Sequence, residues 1–217
     1  MRDIAAAVLA AGSATRMGRD KALLDLGGEP LVRRSVTTVT TSGIGEIIVV
    51  VNPHNQASIA HTVRGLPVRV VCNPRHSQGM GTSIATAAAM TVSDSTAAAL
   101  LLLLVDQPLI DARMLAAIVD AWDDARPDFV ASAYGGVTTT PVLFDRSLLA
   151  ELRALAGDGG ARAILQSHAA NGRILEFPPW RGRDVDTADD YAAVREILER
   201  GLRGTPDEKR LVSREAR

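Results

Sequence analysis

The stretch AVLAAGSATRMGRDKALL, residues 7–24, joins an apolar run to a loop of small residues and then places Arg16 and Lys21 just beyond it. A strand that delivers residues almost without side chains lets backbone N–H groups approach an oxyanion, and two mobile cations at the rim add positive charge. The plainer alternative is a glycine turn with two solvated cations, which supplies no packing reason for their spacing. Two familiar phosphate loops are excluded: Gly12 and Gly18 lie six apart with Lys21 three further on, which matches neither G-x-G-x-x-G nor G-x-x-x-x-G-K-[ST].

Outward from this segment the chain alternates. Continuous apolar runs, IAAAVLA (4–10), EIIVVVN (46–52), VRVVCN (68–73) and AAALLLLLV (97–105), are separated by helix-like PLVRRSVTTVTTSG (30–43) and NQASIAHTVRG (55–65). Unbroken Val/Ile/Leu runs suit strands covered on both faces, so the expected architecture is α/β, three layers, with a mostly parallel central sheet and helices on both sides. In residues 110–125, Met114, Leu115, Ile118, Val119 and Trp122 share one helical face that should rest on the sheet, and Asp111 can cap the first turn. Further on come a strand DFVASAY, a Gly/Thr-rich crossing into TPVLF, helices around SLLAELRAL and after GDGG, the strand RILEF and a last helix in TADDYAAVREILERG. Thr187 and Asp190 form a candidate capping box, and Gly201 is placed to end that helix in the left-handed conformation.

The chain has 217 residues, enough for one large domain over 1–203, and the polar, charged segment 204–217 reads as a mobile tail. The 24 basic residues nearly balance 25 acidic ones, so no broad cationic face would drive nucleic-acid binding and any anion recognition must be local. Cys72 is the sole cysteine, which excludes an intrachain disulfide and a cysteine-rich metal site and favours a reducing, cytoplasmic compartment. Asp3 interrupts the apolar N-terminus, which therefore reads as a first strand and not as a secretory signal. The apolar run at 97–105 has nine residues against the ~20 that a membrane span needs, so no membrane partner is expected.

Residues 9–21 also spell L-A-A-G-x-x-x-R-M-G-x-x-K, and here the chain resembles the nucleotidyltransferases that move a nucleoside monophosphate out of a nucleoside triphosphate. NPRHSQGMGTSI (73–84), VDQPLI (105–110), GDGGARAIL (157–165) and DVDTADDY (184–191) look like its molybdenum cofactor cytidylyltransferase subgroup. The resemblance covers residues 4 to about 200, in the family's order, and implies the three-layer Rossmann-like nucleotidyltransferase fold. It places Leu9, Ala10, Ala11, Gly12, Ser13, Arg16 and Lys21 on the nucleotide, with the second small-residue loop, Gly79, Gly81 and Ser83, near base and sugar. Read physically, that second loop is equally a capped helix start at Thr82 or Ser83.

Asp106 directly follows the leucine-rich strand, at the carboxyl end where open sheets bind ligands. A triphosphate arrives with Mg²⁺ (or Mn²⁺), which takes oxygen ligands and needs only one or two protein carboxylates, so Asp106 is the first metal candidate. The alternative is a turn cap before Pro108. Asp184, Asp186, Asp189 and Asp190 compete for the second place. Asp186 corresponds to the metal-facing residue of the family's D-T-P-E-D-Y-like segment, although Ala188 stands where proline is usual, while Asp189 and Asp190 suit the helix dipole. Gly159, Gly160 and Arg162 read either as a capping loop or as a site for an anionic acceptor. The four histidines lack ligand spacing and read as solvated surface, and Trp180 either packs or stacks on an acceptor ring.

The expected reaction is attack by an acceptor phosphate oxygen on the α-phosphorus, with pyrophosphate leaving. A phosphate monoester is already anionic, so no general base is needed, which agrees with the lack of a Ser/His/Asp or Cys/His constellation. Arg16, Lys21 and Asp106 are then the catalytic set, acting through alignment and charge. The Ala10-Ala11-Gly12 form implies CTP. A molybdopterin acceptor, and a transient contact with a molybdoenzyme or its chaperone, are implied by resemblance alone. Another phosphorylated acceptor, GTP in place of CTP, or an NAD(P)H-dependent oxidoreductase on a similar sheet remain as alternatives.

Overall fold

A computed structural model describes residues 2–12, 20–94 and 96–202. Ser13, Arg16 and the segment 204–217 lie outside the described residues. Seven strands form one sheet: β1 (Arg2–Ala10), β2 (Ile44–Val51), β3 (Arg69–Cys72), β4 (Ala99–Leu104), β5 (Phe129–Tyr134), β6 (Val137–Asp145) and β7 (Gly172–Phe177), in the order β3-β2-β1-β4-β6-β5-β7. Among these strands only β6 runs against its neighbours, pairing antiparallel with β4 and β5. The other pairs are parallel.

Alternate residues of β1 go to opposite faces. Ile4, Ala6 and Val8 join one core with α1 (Leu31–Thr41), α4 (Ala112–Ala125) and α7 (Ala188–Leu202); Ala5, Ala7 and Leu9 join the other with α3 (Met80–Asp94), α5 (Leu149–Arg153) and α6 (Arg162–Ser167). α2 (Gln56–Thr62) completes the described helices, and none of these is long and apolar enough to cross a membrane. The α4 face lies as expected: Leu115, Ile118, Val119 and Trp122 are buried, and the Met114 N–H donates to Asp111 Oδ1 at 3.0 Å. The α7 capping box also forms, with the Asp190 N–H on Thr187 Oγ1 at 3.1 Å and the Thr187 N–H on Asp190 Oδ2 at 3.0 Å.

Two expectations change. The Gly/Thr-rich crossing is part of a hairpin: Gly135 and Gly136 take φ of 59° and 80°, as a tight two-residue turn requires, and β6 already begins at Val137. A bulge then carries Thr140 and Pro141 out of register, since Ala131 pairs with Val142 but Ser132 with Thr139. Proline is tolerated in a strand at such a bulge, and the lost ladder contact is partly replaced by Ser132 Oγ donating to the Pro141 carbonyl at 2.9 Å. At the other end, α7 continues to Leu202, so Gly201 lies inside the helix and does not end it.

His168 is not merely solvated. Its two ring nitrogens face Asp128 at 3.0 Å and Glu151 at 2.9 Å, joining the end of α6 to α5 and to the start of β5. Hydrogen bonds to Asp128 and then Glu151 hold its pKa above the ordinary 6.5. A raised folded value means that this contribution is complete below the unfolded pKa and is lost as pH rises through the folded one. His168→Gln should therefore lower the thermal midpoint at about pH 5.5 and match the parent at about pH 9, a comparison made by paired melts. An equal deficit at both would mean that charge plays no part.

Candidate functional site

Three distant segments converge at the carboxyl ends of β1 and β4. After Ala10 the chain leaves the sheet through Ala11 and Gly12, and where it is next described Asp20 caps a single 3-10 turn, Lys21–Leu23, by accepting from the Ala22 N–H at 2.9 Å. That cap aims Lys21 back over the strand ends. The Val105 N–H donates to the Leu9 carbonyl at 3.2 Å, extending the β1–β4 contact up to Asp106. Asp106 in turn accepts, through its carbonyl, the Val185 N–H at 2.9 Å, and with Val185 fully buried this holds Asp184 and Asp186 beside it.

Lys21 Nζ donates to Asp106 Oδ2 at 3.3 Å and to Asp186 Oδ1, bridging two carboxylates that lie 85 and 165 residues away in the chain. Burial pulls the lysine pKa down, but the bond to Asp186 and the charges of Asp106 and Asp186 outweigh it and hold the ammonium above its usual value. Asp106 is raised because burial of its charge exceeds the attraction of Lys21. Asp184 is raised too, first by burial and then by the neighbouring Asp106 charge. The cluster of Lys21 with Asp106 and Asp186 thus carries more negative than positive charge.

A cavity of about 320 Å³ opens beside this centre. Leu9, Ala10, Ala11 and Gly12 line it together with Lys21, Asp106, Gly79 and Ser83. His76, Ser77 and Asp158 also line it, three residues that lie within the 73–84 and 157–165 motifs but to which the sequence assigned no ligand role. The ring of His76 meets that of His54 edge-on at 6.0 Å, so these two histidines pack together although they lie on separate segments.

Gly81 does not line the cavity. A Cβ there would stand 2.9 Å from the Ala156 carbonyl carbon, and its N–H donates to the Gly157 carbonyl at 2.8 Å. Gly79 takes φ of 105°, and a Cβ on it would overlap the Gly157 backbone and the Asp158 side chain. Both glycines therefore let the 79–81 turn lie flush against residues 156–158, which closes one wall of the cavity. Gly79→Ala should cost roughly 1–3 kcal/mol of stability from the left-handed backbone and the clash together. Chemical denaturation measures it, and a loss below about 0.3 kcal/mol would mean the loops separate freely.

The GDGG residues divide. Gly160 (φ 55°) shapes the turn, Asp158 faces the first cavity, and Arg162 lines a second one. Gln107, buried next to Asp106, accepts from Thr140 Oγ1 at 2.7 Å and hydrogen-bonds Asp184, so the β6 bulge is tied to the acidic segment. Trp180 is exposed, carries the Arg181 guanidinium 4.3 Å above its ring and lines neither cavity. Asp190 serves the capping box, which holds its carboxyl below the usual range.

Among the described residues no group of three or more His, Cys, Asp or Glu could hold a metal ion. The Asp106–Asp186 pair nevertheless suits a hard divalent cation. Its donors are oxygens, a cation already sits between them in the form of the Lys21 ammonium, and Mg²⁺ needs only one or two protein carboxylates when phosphates and waters complete its shell.

A mostly parallel three-layer sheet with a cavity across its β1 and β4 strand ends defines a nucleotidyltransferase-like α/β protein. The chain belongs to the MobA-like NTP transferase domain family, whose pattern matches residues 6–172, and is accordingly a nucleotidyltransferase of that kind. It is 30% identical over 200 residues to the purine catabolism protein PucB of Bacillus subtilis (strain 168), covering 88% of this chain and 95% of that one. It is 45% identical over 89 residues to the bifunctional IPC transferase and DIPP synthase of Rubrobacter xylanophilus, a match to 39% of this chain and only 20% of that longer protein. The crystal structure of Rv0371c from Mycobacterium tuberculosis H37Rv superposes with a TM-score of 0.74 at 26% identity, covering 89% of this chain and 98% of that one. Membership in this family sets aside the oxidoreductase alternative.

Proposed function

We propose that the chain transfers CMP from CTP to the phosphate of a small acceptor, molybdopterin being the acceptor its motifs resemble, with release of pyrophosphate. The observation that carries this reading is the contact of Lys21 with both Asp106 and Asp186, Lys21 and Asp106 themselves lining a cavity together with Leu9–Gly12. Asp106 and Asp186 would hold Mg²⁺ or Mn²⁺, which when bound neutralises phosphate charge and makes the α-phosphorus more electrophilic. Lys21 supplies fixed positive charge for the leaving pyrophosphate. Backbone N–H groups of the Ala10-Ala11-Gly12 turn, together with Ser13 and Arg16, complete the phosphate cradle. Gly79 and Ser83 also face the nucleotide, and Gly81 serves by holding the 79–81 turn in place.

The acceptor arrives ionised, so the protein needs to align two anions and screen their repulsion, and no side chain has to remove a proton. Arg162 is the cation available to the acceptor, Gly160 shaping the turn that presents it. The product is suited to delivery to a molybdoenzyme or its chaperone. Thermal-shift titration with Mg-CTP, Mg-GTP and NADPH tests the first part: Mg-CTP should give the largest stabilisation, and preferential stabilisation by NADPH would overturn the reading. Pyrophosphate release across a panel of phosphorylated acceptors then identifies the second substrate.

A further inference from the structure

Among the described residues three carboxylates line the cavity beside Lys21: Asp20, Asp106 and Asp158. Two of them are already engaged. Asp20 Oδ1 accepts the Ala22 N–H at 2.9 Å, and Asp106 Oδ2 accepts from the Lys21 ammonium at 3.3 Å. Asp158 is exposed and has no hydrogen-bond or ion-pair partner among the described residues. Its place is nevertheless defined. The Gly81 N–H holds the neighbouring Gly157 carbonyl at 2.8 Å, and Asp158 Oδ1 lies 2.5 Å from where a Cβ on Gly79 would stand. Only a glycine at 79 leaves room for that carboxylate, so the two turns together seat a negative charge against the cavity.

A carboxylate without a partner repels a nucleoside triphosphate wherever it meets the phosphates. The nucleotidyl-transfer reading above, on which this step rests, puts those phosphates with Lys21 and a metal at Asp106 and Asp186, which leaves the ribose and the base for Asp158. The surfaces around it decide between the two. The His76 ring, the Met80 thioether and Gly79, with no side chain, line the same cavity and are flat or weakly polar, which suits a heterocycle better than a hydroxylated sugar. Met80 belongs to the Asp158 turn as well, its sulfur lying 3.8 Å from where a Cβ on Gly160 would stand. We infer that Asp158 is a specificity-determining residue whose carboxylate accepts the exocyclic amino group of the base and thereby selects cytosine over uracil. An ionised carboxylate only accepts hydrogen bonds, and the two pyrimidines differ at C4, where cytosine carries an amino donor and uracil a carbonyl acceptor. Cytosine closes a charge-assisted hydrogen bond, whereas uracil sets one acceptor against another. Proteins that read cytosine in DNA use the same carboxylate-to-amino pairing.

Isothermal titration of the full-length protein, of Asp158→Ala and of Asp158→Asn with Mg-CTP, Mg-UTP and the Mg complex of 2′,3′-dideoxy-CTP tests this. The unaltered protein should bind CTP about tenfold or more tightly than UTP, as one well-made base contact provides. Asp158→Ala should bring the two within about threefold of each other, the pairing that separated them being lost. Asp158→Asn should go furthest, because its amide can turn an N–H toward the uracil carbonyl and so improve UTP binding in absolute terms. The preference for CTP over its dideoxy analogue should be the same in all three proteins. The side chain is exposed, so matching thermal midpoints without nucleotide serve as the control on folding. An unaltered protein indifferent to CTP and UTP, or an unchanged ratio in both variants, would overturn the inference. Loss of the discrimination against the dideoxy analogue would overturn it too, by assigning Asp158 to the ribose. Failure of the unaltered protein to bind any Mg-nucleoside triphosphate would instead sink the nucleotidyl-transfer reading, a result read without either variant.

Discussion

Lys21→Ala lowers the rate of pyrophosphate release about a hundredfold or more while the protein stays folded, as expected for removal of one preorganised charge from a phosphoryl-transfer site. The ammonium is the one described cation that touches both Asp106 and Asp186, and it projects from a capped turn that lines the same cavity as Asp106. Its contribution to stability is modest, because the side chain of Asp186 is 42% exposed and such pairs are screened by water. The effect therefore belongs to turnover. Lys21→Arg keeps the charge but replaces a compact ammonium with a planar fork, so partial activity is expected. Steady-state pyrophosphate release with the acceptor identified by the screen measures both variants, and near-normal turnover of Lys21→Ala would remove this residue from the mechanism.

Asp106→Asn gives the second large effect, a loss of about 10²–10³ in turnover with the shape of the site retained. Its signature is that stability does not fall with activity. Burial raises the Asp106 pKa above the ordinary 3.8, so the folded protein pays for holding this carboxylate ionised at neutral pH. A carboxyl whose folded pKa is raised favours folding fully below its unfolded pKa, and that advantage disappears as pH rises through the folded value. The asparagine variant lacks this loss, so at neutral pH its thermal midpoint should equal or exceed that of the parent, with the gap closing toward about pH 3. A midpoint that drops together with turnover would show that Asp106 is structural. Such a pairing of lower activity with retained stability is the usual mark of a strained functional site.

Much of the fold is legible in short-range patterns. The continuous apolar runs become buried parallel strands, and Asp111 and the Thr187–Asp190 pair cap their helices as their spacing implies. Asp106 was placeable because it follows the longest such run. The β6 bulge was not, since VTTTP reads as a loop when its strand partners are unknown. Gly81 looks like a ligand-facing residue in sequence, yet it is required by the close approach of Ala156, while Gly79 both lines the cavity and is required by the packing of residues 157–158. Gln107 and Asp158 fall inside recognisable motifs, but nothing local shows that Gln107 meets Thr140 or that Asp158 lines the cavity.

Sequence alone determined what depends on neighbours within a few residues: strand and helix periodicity, the caps, and the small-residue turn that precedes Lys21. Only the tertiary structure decided which distant groups share a site. Lys21, Asp106 and Asp186 meet because β1 and β4 lie side by side in the sheet and the 184–186 segment is hydrogen-bonded to the Asp106 backbone. The energy that sets that order is spread over two hydrophobic cores, one on each face of the sheet, and is not encoded in any single motif.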